Sequence, residues 1–388
     1  MNVALSEVAA INPRLRATLR DEDTVHFLGM ADVSEFGSTS EGDARPYGKV
    51  RKGYTPFEDG DLLVAKITPC FENGKIAQAR LGSHIGFGST EFHVVRVDDR
   101  VADARYILHL LRSPEVRLAG ESQMTGSAGQ KRVPKTFLEQ LKIPLPPLPE
   151  QRRIAAILDQ ADTLRVLRRA ALGELETLAT SAYRATFATA STVTKPLSEI
   201  ADVTSGITKG RRLNGSPVRD VPYMAVVNVQ DRRLDLGTVK TIQATDAEIA
   251  KYALNMDDLL LTEGGDPDKL GRGVLWKAEL AESIHQNHVF RVRLNTDEVL
   301  PLYLNWHIGS EYGKSYFLRM AKQTTGIASI NSTQLKAFPV QIPAKSLQTE
   351  FRERMEELDA STAAMRRGLT ELDTLFASLQ HRAFRGEL

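Results

Sequence analysis

The sequence predicts an α/β (α+β) protein made of two tandem copies of one unit, each a globular part with a mixed sheet followed by a long amphipathic helix. Three observations carry this prediction. The chain has 388 residues, well beyond one domain of about 100–200 residues. One register relates its first half to its second. Two proline-free segments, close to 150–187 and 346–388, place apolar residues at heptad spacing. With 42% hydrophobic and 26% charged residues, the chain can build ordinary cores and is not wholly disordered. Its apolar runs, such as Leu259-Leu260-Leu261, fall far short of the roughly 20 residues that span a bilayer. The first 20 residues carry Glu7 and no apolar stretch behind a basic start, so they do not read as a secretory signal. The single cysteine, Cys70, excludes an internal disulfide. A cytoplasmic protein without membrane contact is expected. The balance of 50 basic against 49 acidic residues argues against a polyanion binder that relies on bulk charge.

The repeat organises the chain in order. Leu5-Ser6-Glu7-Val8-Ala9 returns as Leu197-Ser198-Glu199-Ile200-Ala201, an offset of 192. The offset becomes 197 at Asp61-Leu62-Leu63 against Asp258-Leu259-Leu260, and it holds for Gly74-Lys75 against Gly271-Arg272 and for Tyr106 against Tyr303. It slips to 200 at Thr125-Gly126 against Thr325-Gly326 and returns to 197 at Leu138 against Leu335. Short β-rich runs at 61–67, 75–81 and 91–97, bounded by Gly, Pro or Asn, read as strands. Helical segments are expected at 104–118 and 301–319. The resulting partition is a first globular domain over 1–147, a central helix over 148–190, a second globular domain over 191–344 and a C-terminal helix over 345–388.

In the central helix the expected seam is Ile154, Ile157, Ala161, Leu164, Leu175 and Leu178. In the C-terminal helix it is Phe351, Leu358, Met365, Leu372 and Leu379, widened by Met355, Leu369, Phe376 and Ala383. A helix of 38 residues is about 57 Å long. Packed on each other, two such helices run antiparallel and give the repeat a pseudo-twofold relation.

The proline-led stretch Leu145-Pro146-Pro147-Leu148-Pro149-Glu150-Gln151-Arg152-Arg153-Ile154, opening a spacer-like helix between tandem globular halves, resembles the specificity subunit of type I restriction-modification systems. The resemblance covers the entire chain. The second helix start, Gln341-Ile342-Pro343-Ala344-Lys345-Ser346-Leu347-Gln348, departs from the pattern by losing most prolines. The resemblance implies that each globular half is a target recognition domain reading half of a bipartite site in double-stranded DNA. It also implies that the helices are a coiled-coil spacer docking methyltransferase subunits, two of them, with restriction/translocase subunits as further partners. Under it this chain carries no cofactor, and S-adenosylmethionine, ATP and Mg belong to the partner subunits. Arg152, Arg153, Arg168 and Arg169 are candidate docking surface or ordinary solvent-facing charge.

The residues give their own account of DNA reading. The loop from Lys66 to Lys75 holds Lys66, Thr68, Phe71, Glu72, Asn73 and Lys75 around the Asn73-Gly74 turn. Lysine donates to guanine, asparagine pairs with adenine and glutamate accepts from cytosine. Its register partner contains Gly265, Asp266, Lys269 and Arg272, where glycine permits close backbone approach and the cations reach phosphate or base. Ser89 and Thr90 correspond to Gln286, Asn287 and His288 just before the next strand. Further candidates are Gln130, Lys131 and Arg132, Lys322 and Thr324, and the basic run Lys209, Arg211, Arg212. The alternative for the loops and the basic run is a solvated surface segment, and for Ser89, Thr90, Gln286, Asn287 and His288 it is strand-end hydrogen bonding.

Several chemistries are absent. Thr68-Pro69-Cys70-Phe71 lacks the start and second proline of an amino-methyltransferase motif, and Gly86-Phe87-Gly88 precedes a strand instead of opening a helix. No P-loop occurs, and no lysine has Asp or Glu two residues before it, as a metal-dependent nuclease core requires. His285, His288 and His307 lack supporting ligands at metal spacing, and Cys70 lacks a nearby histidine. No catalytic or metal site is expected. The competing readings are the recognition portion of a fused type II restriction-methylation enzyme and a structural coiled-coil adaptor.

Overall fold

The structure is a computed structural model that describes every residue except 1, 16, 83, 128, 214, 216, 267, 268, 325 and 326, and leaves the side chains of 323, 324 and 327 outside the description. The chain divides into two compact units, residues 1–173 with 363–388 and residues 174–362. Each long helix contributes residues to both units.

The first unit opens with β1 (Asn2–Ala4), α1 (Leu5–Val8), β2 (Ala9–Ile11), β3 (Thr24–Leu28), β4 (Asp43–Pro46), α2 (Tyr47–Val50) and β5 (Thr55–Glu58). It continues with β6 (Leu62–Ala65), β7 (Ile76–Gln78), β8 (Ile85–Gly88), β9 (Phe92–Val97), α3 (Ala104–Leu111), α4 (Pro114–Ser122) and α5 (Lys135–Gln140). Strand β10 (Lys142–Pro144) then leads into α6 (Leu148–Phe187). The second half begins with β11 (Thr192–Pro196), α7 (Leu197–Ile200), β12 (Ala201–Ser205), β13 (Arg219–Met224), β14 (Val229–Gln230), β15 (Arg233–Leu234) and β16 (Lys240–Ala244). There follow α8 (Asp246–Tyr252), β17 (Leu259–Thr262), β18 (Gly264–Gly265), β19 (Gly273–Leu275), β20 (Ile284–His285) and β21 (Val289–Leu294). The chain closes with α9 (Pro301–Ile308), α10 (Glu311–Met320), β22 (Lys322–Thr324), β23 (Ile327–Ser329), α11 (Ser332–Lys336), β24 (Pro339–Pro343) and α12 (Lys345–Arg385).

An antiparallel sheet β2-β9-β6-β7 in the first unit recurs as β12-β21-β17-β19 in the second. A mixed sheet also recurs, with β3 parallel to β8 and β13 parallel to β20. Strand β6 is apolar throughout because both its faces are covered. Leu62 and Val64 join the core that contains α3 and α6, while Leu63 and Ala65 join a second cluster with Phe57 and Phe92. Among the described residues no helix is long and apolar enough to cross a membrane.

The continuous helices expected at 104–118 and 301–319 are each broken in two. Pro114 lacks the amide needed to continue α3, and Ser113 caps α4 by accepting from the Val116 amide. At the matching place Ser310 accepts from the Gly313 amide and starts α10.

The repeat is held by matching buried polar devices. Asp61 takes two bonds from Arg96, at 2.8 and 2.7 Å, and one from the Glu58 amide. Asp258 does the same with Arg293, both at 2.7 Å, and the Asn255 amide. Gln151 is fully buried, donates to the carbonyls of Pro146 and Val101, and accepts from the Asp103 amide. Its counterpart Gln348 donates to Pro343 and Glu298 and accepts from the Leu300 amide. The second helix start thus loses prolines and keeps the glutamine that ties it to the beginning of α9.

In the first unit the N-terminal part of α6 and the C-terminal part of α12 pack antiparallel, with Ile154, Leu158 and Ala161 sharing a core with Phe376 and Ala383. In the second unit Tyr183 and Phe187 of α6 meet Phe351 and Met355 of α12. The α12 row Phe351, Leu358, Met365, Leu372 and Leu379 is buried or half-buried as its spacing predicts. On α6, Ile154 and Ala161 are buried and Ile157 and Leu175 are half-buried, whereas Leu164 and Leu178 are 53% and 52% exposed. They are not seam residues. The inward row lies one position later, at Leu158, Arg165 and Leu172, with Asp162 and Arg169 beside it. Apolar spacing misses this row because its middle is ionic. Arg165 bonds Asp373 and Asp162, both at 2.6 Å, Arg112 bonds Asp162 at 2.7 Å, and Arg169 bonds Asp373 at 2.7 Å. Arg169 is therefore an internal partner in place of docking surface, and Arg153 is tied to Glu150 and the Leu388 carbonyl.

Candidate nucleic-acid interface

Three of the loops singled out in the first unit meet at the end of β6. The Lys66 amide donates to the Glu91 carbonyl at 2.9 Å, the Val133 amide to the Lys66 carbonyl at 2.8 Å, and the Thr68 amide to the Lys131 carbonyl at 3.0 Å. Thr68 Oγ1 reaches that same carbonyl at 3.2 Å. Arg132 grips Glu91 through two nitrogens, at 2.9 and 2.8 Å, and this bonding holds the Glu91 carboxyl below the usual carboxylate range. The resulting rim presents Thr90, Gln130 and Lys131 to solvent, with Lys66, Ser89 and Arg132 half-buried beside them. Ala128 of this loop lies outside the described residues.

The far half of the 66–75 loop turns elsewhere. Phe71 is 1% exposed and belongs to the core, so its ring is not available to a base. It fits because residue 120 is glycine, where a Cβ would come within 2.5 Å of the Phe71 ring. Arg117 on α4 donates to the Glu72 carbonyl at 2.7 Å, and Lys75 Nζ donates to the Met30 carbonyl at 3.0 Å. Asn73 stays exposed beside them.

The second unit repeats the frame of the rim with different side chains. The Glu263 amide donates to the His288 carbonyl at 3.0 Å and the Ile330 amide to the Glu263 carbonyl at 2.9 Å. These are the ties of Lys66, Glu91 and Val133 moved by 197 positions. The ion pair differs: His288 Nδ1 meets Glu263 where Arg132 met Glu91. Strand β18, with Gly265, pairs with β23, which pairs with β22 carrying Lys322. Gly264 is required there, since a Cβ would lie 2.7 Å from the Ala328 carbonyl. The Asn287 amide donates to the Ile207 carbonyl at 3.0 Å, which draws the segment from Lys209 to Arg212 toward Gln286, Asn287 and His288.

Within that segment Lys209 and Arg212 are exposed. Arg211 is occupied by Glu248, with one bond of 2.7 Å, and by the Gln243 carbonyl at 2.8 Å. The arginine pulls the Glu248 carboxyl down to about 2. Lys269 is paired with Asp266, and Arg272 donates to Gln230 at 3.1 Å. Asp268, Thr325 and Gly326 lie outside the described residues, as does the side chain of Thr324. The sequence reading missed Glu248 and Gln230, the partners that occupy two of its arginines, because they lie 37 and 42 positions away and no local spacing marks them. Among the described residues there is no group of three or more His, Cys, Asp or Glu able to hold a metal ion. The arrangement offers hydrogen-bonding edges and scattered cations, as groove reading requires.

Comparison with known proteins bears on both units. The sequence profile of the type I restriction modification DNA specificity domain matches residues 1–177 and 192–373. The EcoEI type I restriction enzyme specificity subunit of Escherichia coli is 46% identical over 154 residues, 39% of this chain and 26% of that protein. The match thus spans about a quarter of that relative. The StySPI specificity subunit of Salmonella potsdam is 26% identical over 337 residues, 81% of this chain and 72% of that protein. Among solved structures, the type I restriction-modification S subunit from M. genitalium has a TM-score of 0.56 at 13% identity, covering 99% of this chain and 96% of that one. A chain from a study of complex assembly and conformational transition of the type I R-M system has a TM-score of 0.60 at 17% identity, covering 100% and 98%. At these identities the structures share the fold.

Proposed function

This chain belongs to the type I restriction modification DNA specificity family, and from that premise we propose that it is the non-catalytic DNA specificity subunit of a type I restriction-modification complex. Each unit reads one half of a bipartite site in double-stranded DNA. The observation that carries this reading is the pair of rims: the backbone ties at Lys66, Glu91 and Val133 recur at Glu263, His288 and Ile330, while lysine becomes glutamate and glutamate becomes histidine. A constant frame with changed edge groups suits two readers of different half-sites. The exposed residues Thr90, Gln130, Lys131, Lys209, Arg212 and Lys322, with the half-buried Asn287, are the proposed contacts. Arg132, Arg211 and Arg272 position the loops from behind.

On this reading the chain supplies no chemistry. Methylation with S-adenosylmethionine, and restriction with ATP and Mg, belong to methyltransferase and restriction/translocase subunits docked on it, and α6 with α12 sets the spacing between half-sites. Exchanging residues 1–147 for those of another family member is expected to change one half of the methylated motif in host DNA. A change in both halves or in the spacing refutes the modular reading, and an unchanged methylome after deletion of the chain refutes the function.

Leu164 and Leu167, 53% and 60% exposed on α6, form the proposed methyltransferase-docking patch. The double substitution Leu164→Asp with Leu167→Asp is expected to leave helix content by circular dichroism unchanged and to abolish co-purification with the methyltransferase subunit. Retained co-purification places docking elsewhere.

A further inference from the structure

The second unit holds a cavity of about 530 Å³ between the C-terminal part of α6, the α9–α10 corner and the β14–β15 hairpin. Its wall is built from rings lying nearly parallel in two stacks. Tyr183 and Trp306 are 5.9 Å apart at 20°, and His307 lies 5.4 Å from Tyr303 at 14° and 5.2 Å from Tyr312 at 25°. Trp306, Tyr303 and His307 are 7%, 2% and 2% exposed, so the rings open to a flat ligand are Tyr183, half-buried, and Tyr312, 38% exposed.

Three cations, Arg184, Arg232 and Lys314, and two carboxylates, Asp231 and Glu311, border the same space. Asp231 lies 3.7 Å from Arg232, and Glu311 pairs with Arg184. The Arg232 guanidinium sits 3.8 Å over the Trp306 ring, and its buried Nε has no hydrogen-bond partner. Burial holds the Arg232 pKa below its ordinary value although Asp231 beside it acts the other way, so a further anion brought against its free face is favoured. Lys314 lies in the first turn of α10, where the helix dipole also favours negative charge, and it has no carboxylate partner among the described residues.

The matching hollow of the first unit is about 270 Å³. Arg112 is the reason, since its buried guanidinium reaches Asp162 and the Glu35 carbonyl there. At the equivalent position, 197 residues on, stands Gly309. Loss of that side chain opens the space, and Arg232 enters it from the hairpin, so that a Cβ on Gly309 would lie 3.2 Å from Arg232 Nη2. The repeat thus has a filled ionic hollow in one unit and, in the other, an open one lined by aromatic rings and by three cations against two carboxylates, with Lys314 the cation that no carboxylate reaches among the described residues.

We propose that this cavity binds a planar aromatic ring carrying an anionic group, of nucleoside-monophosphate size, with the ring against the accessible rings Tyr183 and Tyr312 and the anion between Arg232 and Lys314. The volume lies within the range of about 300–1,000 Å³ typical of small-molecule sites. The site is separate from the DNA-reading rims and does not depend on their assignment. Calorimetric titration of the full chain with AMP, adenosine and ribose 5-phosphate tests it. AMP is expected to bind once per chain, with adenosine and ribose 5-phosphate each weaker by about tenfold or more, the effect of losing one charge-assisted bond or the ring contact. Lys314→Ala is expected to weaken AMP about tenfold and leave adenosine unchanged, and Gly309→Arg, which restores the filling of the first unit, to abolish both. Absence of AMP binding by the folded chain overturns the proposal. So does ribose 5-phosphate binding as tightly as AMP, or AMP binding that survives both substitutions.

Discussion

Lowering the pH from about 7 to about 4 should remove several kcal/mol of stability from the second unit, at roughly 3 kcal/mol for each of two buried histidines. His285 and His307 are 0% and 2% exposed, and burial pushes both down to about 4 from an ordinary 6.5. Their surroundings explain the direction. His285 Nδ1 donates to the Val289 carbonyl at 2.7 Å, while its buried Nε2 has no partner, so an added proton there points at nothing. The Gln341 amide donates to His307 Nε2 at 3.2 Å, which places the ring proton on Nδ1, 3.0 Å from the Tyr183 hydroxyl oxygen. A second proton would set one N–H against another. With the folded values below the unfolded one, the unfolded chain takes up protons first. Stability is therefore complete above about 6.5, falls as the pH drops toward about 4, and levels off once both states are protonated. Urea unfolding at a series of pH values measures this. A midpoint that stays constant across that window would show that the two rings titrate in the folded state as they do in the open chain.

Gln348→Ala is expected to cost about 3 kcal/mol. The side chain is fully buried and satisfies three backbone groups: the carbonyls of Pro343 and Glu298, at 3.0 and 2.9 Å, and the Leu300 amide, at 2.8 Å. Truncation leaves all three buried without partners, at the place where the last strand, α9 and α12 converge. Gln151→Ala strands the carbonyls of Pro146 and Val101 and the Asp103 amide in the same way. Chemical denaturation of both variants reads the effect. A loss under about 1 kcal/mol would mean that water replaces the amide group.

The two glutamines mark where sequence reasoning reached and where it stopped. Both stand in the helix-opening stretches that carry the family resemblance, and their spacing of 197 is visible without coordinates. Proline was the conspicuous feature of the first stretch, yet the second keeps its helix with few prolines because the glutamine makes the tie. The α12 seam was legible for the opposite reason, since its buried row is almost entirely apolar. On α6 the rule chose Leu164 and Leu178, which face outward, because the inward row is interrupted by Asp162, Arg165 and Arg169. Ionic residues enter a seam only when partners meet them, and Asp373 and Arg112 come from 208 and 50 positions away. The candidate DNA-reading loops divide along the same line. Their convergence at the end of β6 follows from strands that the repeat made visible. That Phe71 is core and Arg211 is occupied depends on Gly120 and Glu248, which no spacing connects to them.

By itself the sequence determined the tandem repeat, the two long helices and the family, because each is written as a period or a motif that survives in one dimension. The tertiary structure alone decided which polar groups are available. A cation is available only when no carboxylate reaches it, and whether one does is settled by residues brought together across tens to hundreds of positions. Gly309 against Arg112 makes the same point: one missing side chain turns the second copy of a filled hollow into a cavity, and only the packed unit reveals it.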